Sequence, residues 1–256
     1  MVQLAEWNIG GSHTGGEAAR SASRNTALRI FSMPDEIAPA RARIADLGRL
    51  LYQRHLTDTA GGNISARVGG CICMTPMYAG GRWHWDLRPE QVLLLALDGR
   101  KLEGEGEISR EAQVHLRLYG QFATAGAVVH SHAPNALVFA AVGLPVPPVL
   151  EYVQRLGPVG IARYAPTHTA LLADNVAEAL AAFGNQRTPY AAATIVPGHG
   201  LFVVACDLDT AFDVTERIEI TARTVLLGSL LAGDRAWIER AQAALAAGRA
   251  AEAPEG

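Results

Sequence analysis

Two histidines stand one residue apart at the end of a short apolar run, and their spacing allows metal chemistry. His130 and His132 follow Ala127, Val128 and Val129. Side chains two residues apart on a β-strand share one face, roughly 7 Å from each other. Two imidazoles arranged in this way can bind one metal ion. Because metal sites usually take three or four ligands, a pair alone is more typical of strand-end histidines that hydrogen-bond to their neighbours.

A third imidazole is available further along the chain. His199 stands between Gly198 and Gly200, and short apolar segments at 194–196 and 201–204 flank this turn. Glycines on both sides permit a close approach of the backbone, which suits a side chain aimed into a site. A buried turn histidine bonded to a carbonyl is the simpler alternative.

A carboxylate is the fourth candidate ligand. Ser109 is predicted to be a helix N-cap, which places Glu111 in the first helical turn, where the helix dipole favours a negative charge. A glutamate that only stabilises the dipole would fit the same pattern. His115 follows four residues later on the same helical face, so it either orients Glu111 or belongs to the core.

The composition predicts a soluble, cytoplasmic protein with one well-packed domain. The chain has 256 residues, 49% of them hydrophobic, and a net charge of −3. This charge, with no block rich in lysine or arginine, argues against a nucleic-acid partner. No apolar run approaches the roughly 18 residues of a membrane span, and the N-terminus lacks the order of a signal peptide. Cys71, Cys73 and Cys206 are too few for a disulfide framework.

The organisation along the chain predicts a flexible N-terminal arm over 1–33, a folded domain over 34–250 and a polar end over 251–256. The expected elements are a helix over 35–55, hairpins over 64–74 and 92–102, a helix over 109–122, a strand ending at the paired histidines, a helix over 135–142, a strand over 160–164, a helix over 175–183, two strands around His199, and helices from 209 and over 236–251. Tight turns between strands favour antiparallel pairing. The predicted fold is a three-layer α/β sandwich with a central, mainly antiparallel sheet flanked by helices.

Five short motifs in this order resemble the class II aldolase/adducin family, whose best-known members are fuculose-phosphate aldolase and ribulose-phosphate 4-epimerase. The resemblance extends from about residue 36 to 230. The motifs are Thr59-Ala60-Gly61-Gly62-Asn63-Ile64-Ser65-Ala66-Arg67, Met74-Thr75-Pro76, Ser109-Arg110-Glu111 with His115, His130-Ser131-His132, and His199-Gly200.

The resemblance implies a metal-dependent enzyme with a small-molecule substrate. The metal is implied to be Zn²⁺, held by His130, His132 and His199. Mn²⁺, Fe²⁺, Co²⁺ or Ni²⁺ also suit such ligands. The family uses the glutamate at Glu111 as acid and base, and sometimes as a resting-state ligand. The implied substrate-binding residues are Gly62, Asn63, Thr75, Ser109 and Arg110.

The resemblance also implies a homotetramer with C4 symmetry and active sites between adjacent subunits. The apolar residues of the helix from 209 support assembly, because they exceed one core-facing stripe. A tyrosine from the neighbouring subunit serves the family as proton donor. Tyr152 is the candidate here, and Glu151 is a rival. The apolar helix residues are Ile218, Ile220, Val225, Leu226, Leu227, Leu230 and Leu231.

The sequence departs from the family's phosphate-binding pattern in two places. Arg110 stands where sugar-phosphate aldolases often have a second serine, and Met77 and Tyr78 follow Pro76 where they often have a hydroxyl residue and glycine. A bulky aromatic insertion follows over 78–86. Arginine binds phosphate or carboxylate in a bidentate manner, so the anion of the substrate stays open, and an exposed Arg110 without a role is the simpler alternative.

The expected function is a zinc-dependent aldolase that cleaves a C–C bond of a hydroxylated carbonyl compound, a sugar phosphate, through a metal-stabilised enediolate. One alternative is a metal-dependent decarboxylase of a hydroxylated acid, with Arg110 binding the carboxylate and the Trp83/Trp85 segment shaping an aromatic pocket. An epimerase or dehydratase would use the same metal chemistry. A non-catalytic binding module like the adducin head is disfavoured, because it would not need three histidines and Glu111.

Overall fold

The computed structural model describes residues 34–157, 159–183 and 190–252. The predicted arm over 1–33 lies outside the described residues, and so do residues 253–256 of the predicted polar end. Within the described part, no helix is both long and apolar enough to cross a membrane.

An eight-stranded sheet forms the centre of the described structure. Its strand order is β4-β3-β2-β1-β5-β8-β7-β6, and every neighbouring pair is antiparallel except β6 and β7. The strands are β1 (Asn63–Val68), β2 (Cys71–Met74), β3 (Leu93–Ala96), β4 (Lys101–Glu103), β5 (Ala127–Ser131), β6 (Gly160–Ile161), β7 (Ala191–Val196) and β8 (Gly200–Ala205).

Helices cover both faces of this sheet. One buried cluster includes Ile44, Phe139 and Ile218, and the cluster on the opposite face includes Leu118 and Leu172. The predicted fold class, a three-layer α/β sandwich, is confirmed. The helices are α1 (Pro34–Gln53), α2 (Ala79–Trp83), α3 (Ala112–Gln121), α4 (Pro134–Val142), α5 (Glu151–Gln154), α6 (Ala170–Ala179), α7 (Leu208–Ala232) and α8 (Ala236–Glu252), with a 3-10 turn at Pro89–Gln91.

Two predicted helix starts were wrong. Helix α3 begins at Ala112, so Ser109 is not its N-cap, and Glu111 occupies the capping position itself. An antiparallel bridge between Pro76 and Ile108 holds the preceding segment extended, which delays the helix. Helix α6 begins at Ala170, five residues before the predicted start.

The N-terminus of α6 is set by Thr169, whose hydroxyl accepts a hydrogen bond from the Leu172 N–H at 3.2 Å. Asn175, the predicted first residue, is buried inside the helix instead. Its amide donates to the Arg163 carbonyl at 3.1 Å and thereby ties α6 to the segment after β6. The predicted strand over 160–164 is correspondingly short, covering only Gly160–Ile161.

The aromatic insertion supports the core. Trp85 is fully buried, and its indole N–H donates to the Asp58 carbonyl at 2.7 Å. Gly48 and Gly80 provide the space, since a Cβ on either would lie 3.1 Å or less from the indole. Trp85 therefore anchors the loop that leads into β1, which contradicts the alternative in which Trp85 helps to shape an aromatic pocket.

The sheet register brings three chain segments together at one edge. Asn63, the first residue of β1, pairs with His130 near the end of β5, and His130 pairs with Phe202 of β8. Because these neighbouring strands are antiparallel, the start of β1, the end of β5 and the β7–β8 turn with His199 lie at the same edge of the sheet.

The chain after β5 is held by a helix from the covering layer. Glu219 of α7 accepts hydrogen bonds from the backbone N–H groups of Asn135 and Ala136, both at 2.9 Å. Its carboxylate therefore caps the N-terminus of α4, where the helix dipole favours a negative charge. This contact fixes the path of the chain directly after His132.

Candidate metal centre

His130, His132 and His199 converge at this edge of the sheet. One ring nitrogen from each lies within 4.8 Å of the corresponding nitrogens of the other two. The ring of His130 is fully buried and stacks on Phe202, with the ring centroids 4.2 Å apart. The sequence prediction that His199 lies beside the paired histidines therefore agrees with the geometry.

Hydrogen bonds on the far side of two rings fix their orientation. The Nδ1 of His130 donates to the Leu201 carbonyl at 3.0 Å, and the Nδ1 of His132 faces the Asp58 carboxylate at 3.3 Å. Each ring therefore carries its proton on Nδ1 and turns the lone pair of Nε2 towards the centre. Metal-binding histidines are commonly held by such carbonyl or carboxylate partners.

The centre contains buried nitrogen atoms without a hydrogen-bond partner. They are Nε2 of His130, Nε2 of His132 and Nδ1 of His199. Buried polar atoms are normally hydrogen-bonded, and each exception requires an explanation. Three imidazoles that share one small space have the donor chemistry of a catalytic metal site. The residues present therefore fit a bound metal ion.

Glu111 approaches the histidines from the helical layer. Its Oε1 lies 2.7 Å from Nε2 of His199, and its Oε2 lies 3.3 Å from Nε2 of His130. Burial raises the pKa of Glu111, but His130, His199 and a hydrogen bond from Asn63 outweigh it, so the pKa is held below its usual range. Burial also lowers the pKa of His130 to about 3. The carboxylate is thus charged and His130 neutral at neutral pH, which are the forms that bind metal.

A cavity of about 270 Å³ opens beside these groups. Among the sequence-predicted substrate residues, Gly62, Asn63, Ser109 and Arg110 line it, together with His132, His199 and Glu111. Thr75 does not. It is fully buried, and its hydroxyl accepts a hydrogen bond from the Ile64 N–H at 3.1 Å. The structure therefore gives Thr75 a role between β1 and β2 instead of in substrate contact.

Arg110 and Tyr78 form the rim of the cavity. The Arg110 guanidinium donates to the Tyr78 hydroxyl at 3.2 Å, and its carbon lies 5.6 Å from the centre of the tyrosine ring. Tyr78 has a backbone φ of 63°, in the left-handed region that non-glycine residues seldom adopt. Arg110 and Tyr78, which come from the two places where the sequence departs from the family pattern, thus contact each other at the entrance.

Three residues at the site were not predicted from the sequence. Asp58 orients His132, although 74 residues separate them in the chain. Thr167 and His168 come from the loop between β6 and α6 and line the cavity, with His168 at a φ of 66°. The only sequence signal was a pair of polar residues after Pro166, which a surface turn would also show.

The candidate proton donor lies elsewhere on the same chain. Tyr152 is 38% exposed near the start of α5, where the Arg217 guanidinium lies 5.5 Å from the centre of its ring. Neither Tyr152 nor its rival Glu151 lines the cavity with the histidines. A role for either residue in catalysis therefore needs a second subunit.

The chain belongs to the family described as the Class II Aldolase and Adducin N-terminal domain, whose model matches residues 42–226. A 5-deoxy-D-ribulose 1-phosphate aldolase from Bacillus thuringiensis serovar kurstaki is 33% identical over 186 residues, covering 72% of this chain and 82% of that protein. The solved structure of an L-fuculose 1-phosphate aldolase superposes with a TM-score of 0.67 and 26% identity, covering 75% of this chain and 87% of the other. The family resemblance of the motifs is confirmed.

Other relatives carry the names of different reactions. A 3-oxo-tetronate 4-phosphate decarboxylase from Haemophilus influenzae is 28% identical, covering 70% of this chain and 83% of that protein. A methylthioribulose-1-phosphate dehydratase from Pseudoalteromonas translucida is 27% identical, covering 71% and 86%. Family membership therefore defines the scaffold and the class of site, while aldolases, dehydratases and decarboxylases all occur among the relatives.

The close approach of Gly61 to His132 provides a test of the site. A Cβ at Gly61 would overlap the imidazole of His132, whereas a Cβ at Gly70 would meet no atom within 4 Å. We expect Gly61→Ala to displace His132 and to weaken metal binding by a factor of about 10 or more, measured by competition with a chromophoric chelator. Gly70→Ala, the matched control, should bind like the wild type. Equal affinity in both variants would contradict the role assigned to His132.

Proposed function

We propose that this protein is a metal-dependent aldolase that cleaves a C–C bond of a small phosphorylated hydroxy-carbonyl compound. The observation that carries the proposal is the convergence of His130, His132 and His199 with Glu111 beside one cavity, which His132, His199 and Glu111 line. We further propose Zn²⁺ as the metal, since neutral imidazoles suit it, with Mn²⁺, Fe²⁺, Co²⁺ and Ni²⁺ as the other candidates.

The chemistry divides between the metal and Glu111. A metal ion held by the three histidines would act as a Lewis acid that stabilises negative charge on the substrate oxygens as the C–C bond breaks. Glu111 lies against the histidines and at the cavity wall, so its carboxylate can take a proton from the substrate and return it at the neighbouring carbon. In the metal-free protein the lowered pKa of Glu111 keeps its carboxylate ionised, which is the form that can accept a proton.

The anion of the substrate is proposed to lie at the rim. Arg110 supplies the positive charge, and Ser109, Gly62 and Asn63 line the cavity beside it. Arginine binds phosphate in a bidentate manner. The 33% identical relative is named for a ketose 1-phosphate, which supports a phosphorylated substrate of this size.

A decarboxylase is the second candidate, because a relative carries that name and Arg110 also suits a carboxylate. The hypothesis of an aromatic acid loses its support, since Trp85 is buried in the core and neither Trp83 nor Trp85 lines the cavity beside the histidines. A dehydratase or epimerase needs the same metal and base, and a dehydratase also occurs among the relatives.

An assay that identifies the products can separate these reactions. Its substrates are 5-deoxyribulose 1-phosphate, fuculose 1-phosphate, methylthioribulose 1-phosphate and 3-oxo-tetronate 4-phosphate.

Glu111→Gln tests the proposed base. The amide keeps the shape of the side chain but cannot take up a proton, so we expect activity to fall by a factor of about 10² or more. Metal content, measured by mass spectrometry, should stay close to one ion per chain. Glu107→Gln, an exposed matched control, should keep full activity. Full activity in Glu111→Gln would move proton transfer to Tyr152 or Glu151.

A homotetramer with shared sites is the proposed assembly. Leu227, Leu230 and Leu231 of α7 are 48%, 79% and 90% exposed, and a contact between subunits would bury them. Ile218 and Val225 are already buried within the chain, so only the exposed apolar residues of the helix support assembly. We propose that Tyr152 reaches the metal site of an adjacent subunit.

Subunit mixing tests the shared site. Glu111→Gln and Tyr152→Phe should each be inactive as pure proteins. When the two variants are dissociated and reassembled together, activity should return at sites where the Tyr152→Phe subunit supplies an intact Glu111 and the Glu111→Gln subunit supplies an intact Tyr152. Light scattering should give about four times the chain mass of 27.1 kDa. An active monomer, or a fully active Tyr152→Phe variant, would contradict the shared site.

A further inference from the structure

A chain of buried hydrogen bonds runs from Glu111 into the layer between β1 and α3. Asn63 donates from Nδ2 to Oε2 of Glu111 at 2.8 Å, and its Oδ1 lies 2.5 Å from Nε2 of His115. Nδ1 of His115 lies 2.7 Å from the hydroxyl of Ser65, which lies 2.8 Å from the hydroxyl of Tyr119. The side chains that follow Glu111 along these hydrogen bonds are all buried, namely Asn63, His115, Ser65 and Tyr119.

The direction of every bond follows from the one at Glu111. The carboxylate only accepts, so Asn63 must present Nδ2 to it and turn Oδ1 towards His115. His115 therefore carries its proton on Nε2 and accepts at Nδ1 from the Ser65 hydroxyl. The Ser65 oxygen in turn accepts from Tyr119. One ring thus sets the orientation of the amide that holds Glu111.

The spacing of these residues along β1 and α3 places their side chains on the facing sides of the two elements. Asn63 and Ser65 are two apart on β1 and share a face, while His115 and Tyr119 are four apart on α3 and share a face. The imidazole of His115 spans the distance between the two strand residues. The surrounding layer is apolar and includes Val114, among other residues.

Stability alone does not require these polar groups. Buried polar networks are costly unless every member is satisfied, and an apolar packing of similar shape is often as stable. We infer that His115 is a positioning residue, which acts through Asn63 to hold the Glu111 carboxylate between His130 and His199. This inference rests on the proposed function of Glu111, and it adds a residue that contacts neither the cavity nor the metal ligands.

His115→Leu tests the inference. The variant leaves Asn63 without its partner, so the amide can rotate and release Glu111. With the aldol substrate that the wild type cleaves, we expect kcat to fall by about 10-fold or more, the effect typical of lost supporting contacts. KM and metal content should change little. His115→Gln, whose amide can donate to Asn63 and accept from Ser65, should recover most of kcat.

Tyr119→Phe is the matched control, because it removes one hydroxyl from the far end of the same chain of bonds. It should leave kcat within about a factor of three while its thermal stability changes as much as that of His115→Leu. Equal losses of kcat in the two variants, or no rescue by His115→Gln, would reduce His115 to a packing residue and overturn the inference.

Crystal structures of the wild type and His115→Leu test the same inference without a substrate. The inference predicts that the Asn63 amide turns and that Glu111 leaves its place between His130 and His199. If Glu111 stays within hydrogen-bond distance of His199 in the variant, the positioning role is wrong even where the aldolase proposal holds. If the wild type cleaves none of the sugar phosphates while Glu111 moves as expected, only the proposed function fails.

Discussion

The geometry of the site depends on three imidazole nitrogens that lack a hydrogen-bond partner inside the protein. Leaving a buried polar atom unsatisfied costs about 1–3 kcal/mol, and three of them beside a charged carboxylate are a substantial cost for a domain of this size. The Leu201 carbonyl and the Asp58 carboxylate hold His130 and His132 so that their lone pairs face each other. A bound cation would satisfy these nitrogens and balance Glu111, which supports the proposed metal site.

The antiparallel sheet is what brings the ligands together. His130 lies at the end of β5, and the register places it between Asn63 on one side and Phe202 on the other. His199 reaches the same edge because the β7–β8 turn is only three residues long. The helical layer then supplies Glu111 from above the sheet, and the bonds through Asn63 and His115 link the two layers.

The three histidines of the candidate metal centre were predictable because their signals are local. The spacing of His130 and His132 follows from strand periodicity, and the glycines around His199 mark a tight turn. Asp58 could not be found in this way, because its contact with His132 joins residues 74 apart. The fold class was equally accessible, since the alternation of apolar residues and the tight turns define antiparallel strands.

The errors arose where tertiary contacts override local preference. Ser109 has the residue type of an N-cap, but the bridge at Ile108 keeps the backbone extended and moves the helix start to Ala112. Thr75 matches a substrate-binding motif, yet it bonds to the backbone of β1. Trp85 was a candidate for shaping a pocket, but its burial against Gly48 and Gly80 makes it part of the core.

We propose that His130, His132 and His199 together hold one metal ion. Anomalous diffraction from crystals of the Zn²⁺-loaded protein, recorded above and below the zinc absorption edge, would locate this ion. We expect one anomalous peak per chain, about 2.0–2.1 Å from one nitrogen of each of the three rings, the distance typical of zinc. A peak elsewhere, or His199 turned away from an ion bound to the other two histidines, would contradict it.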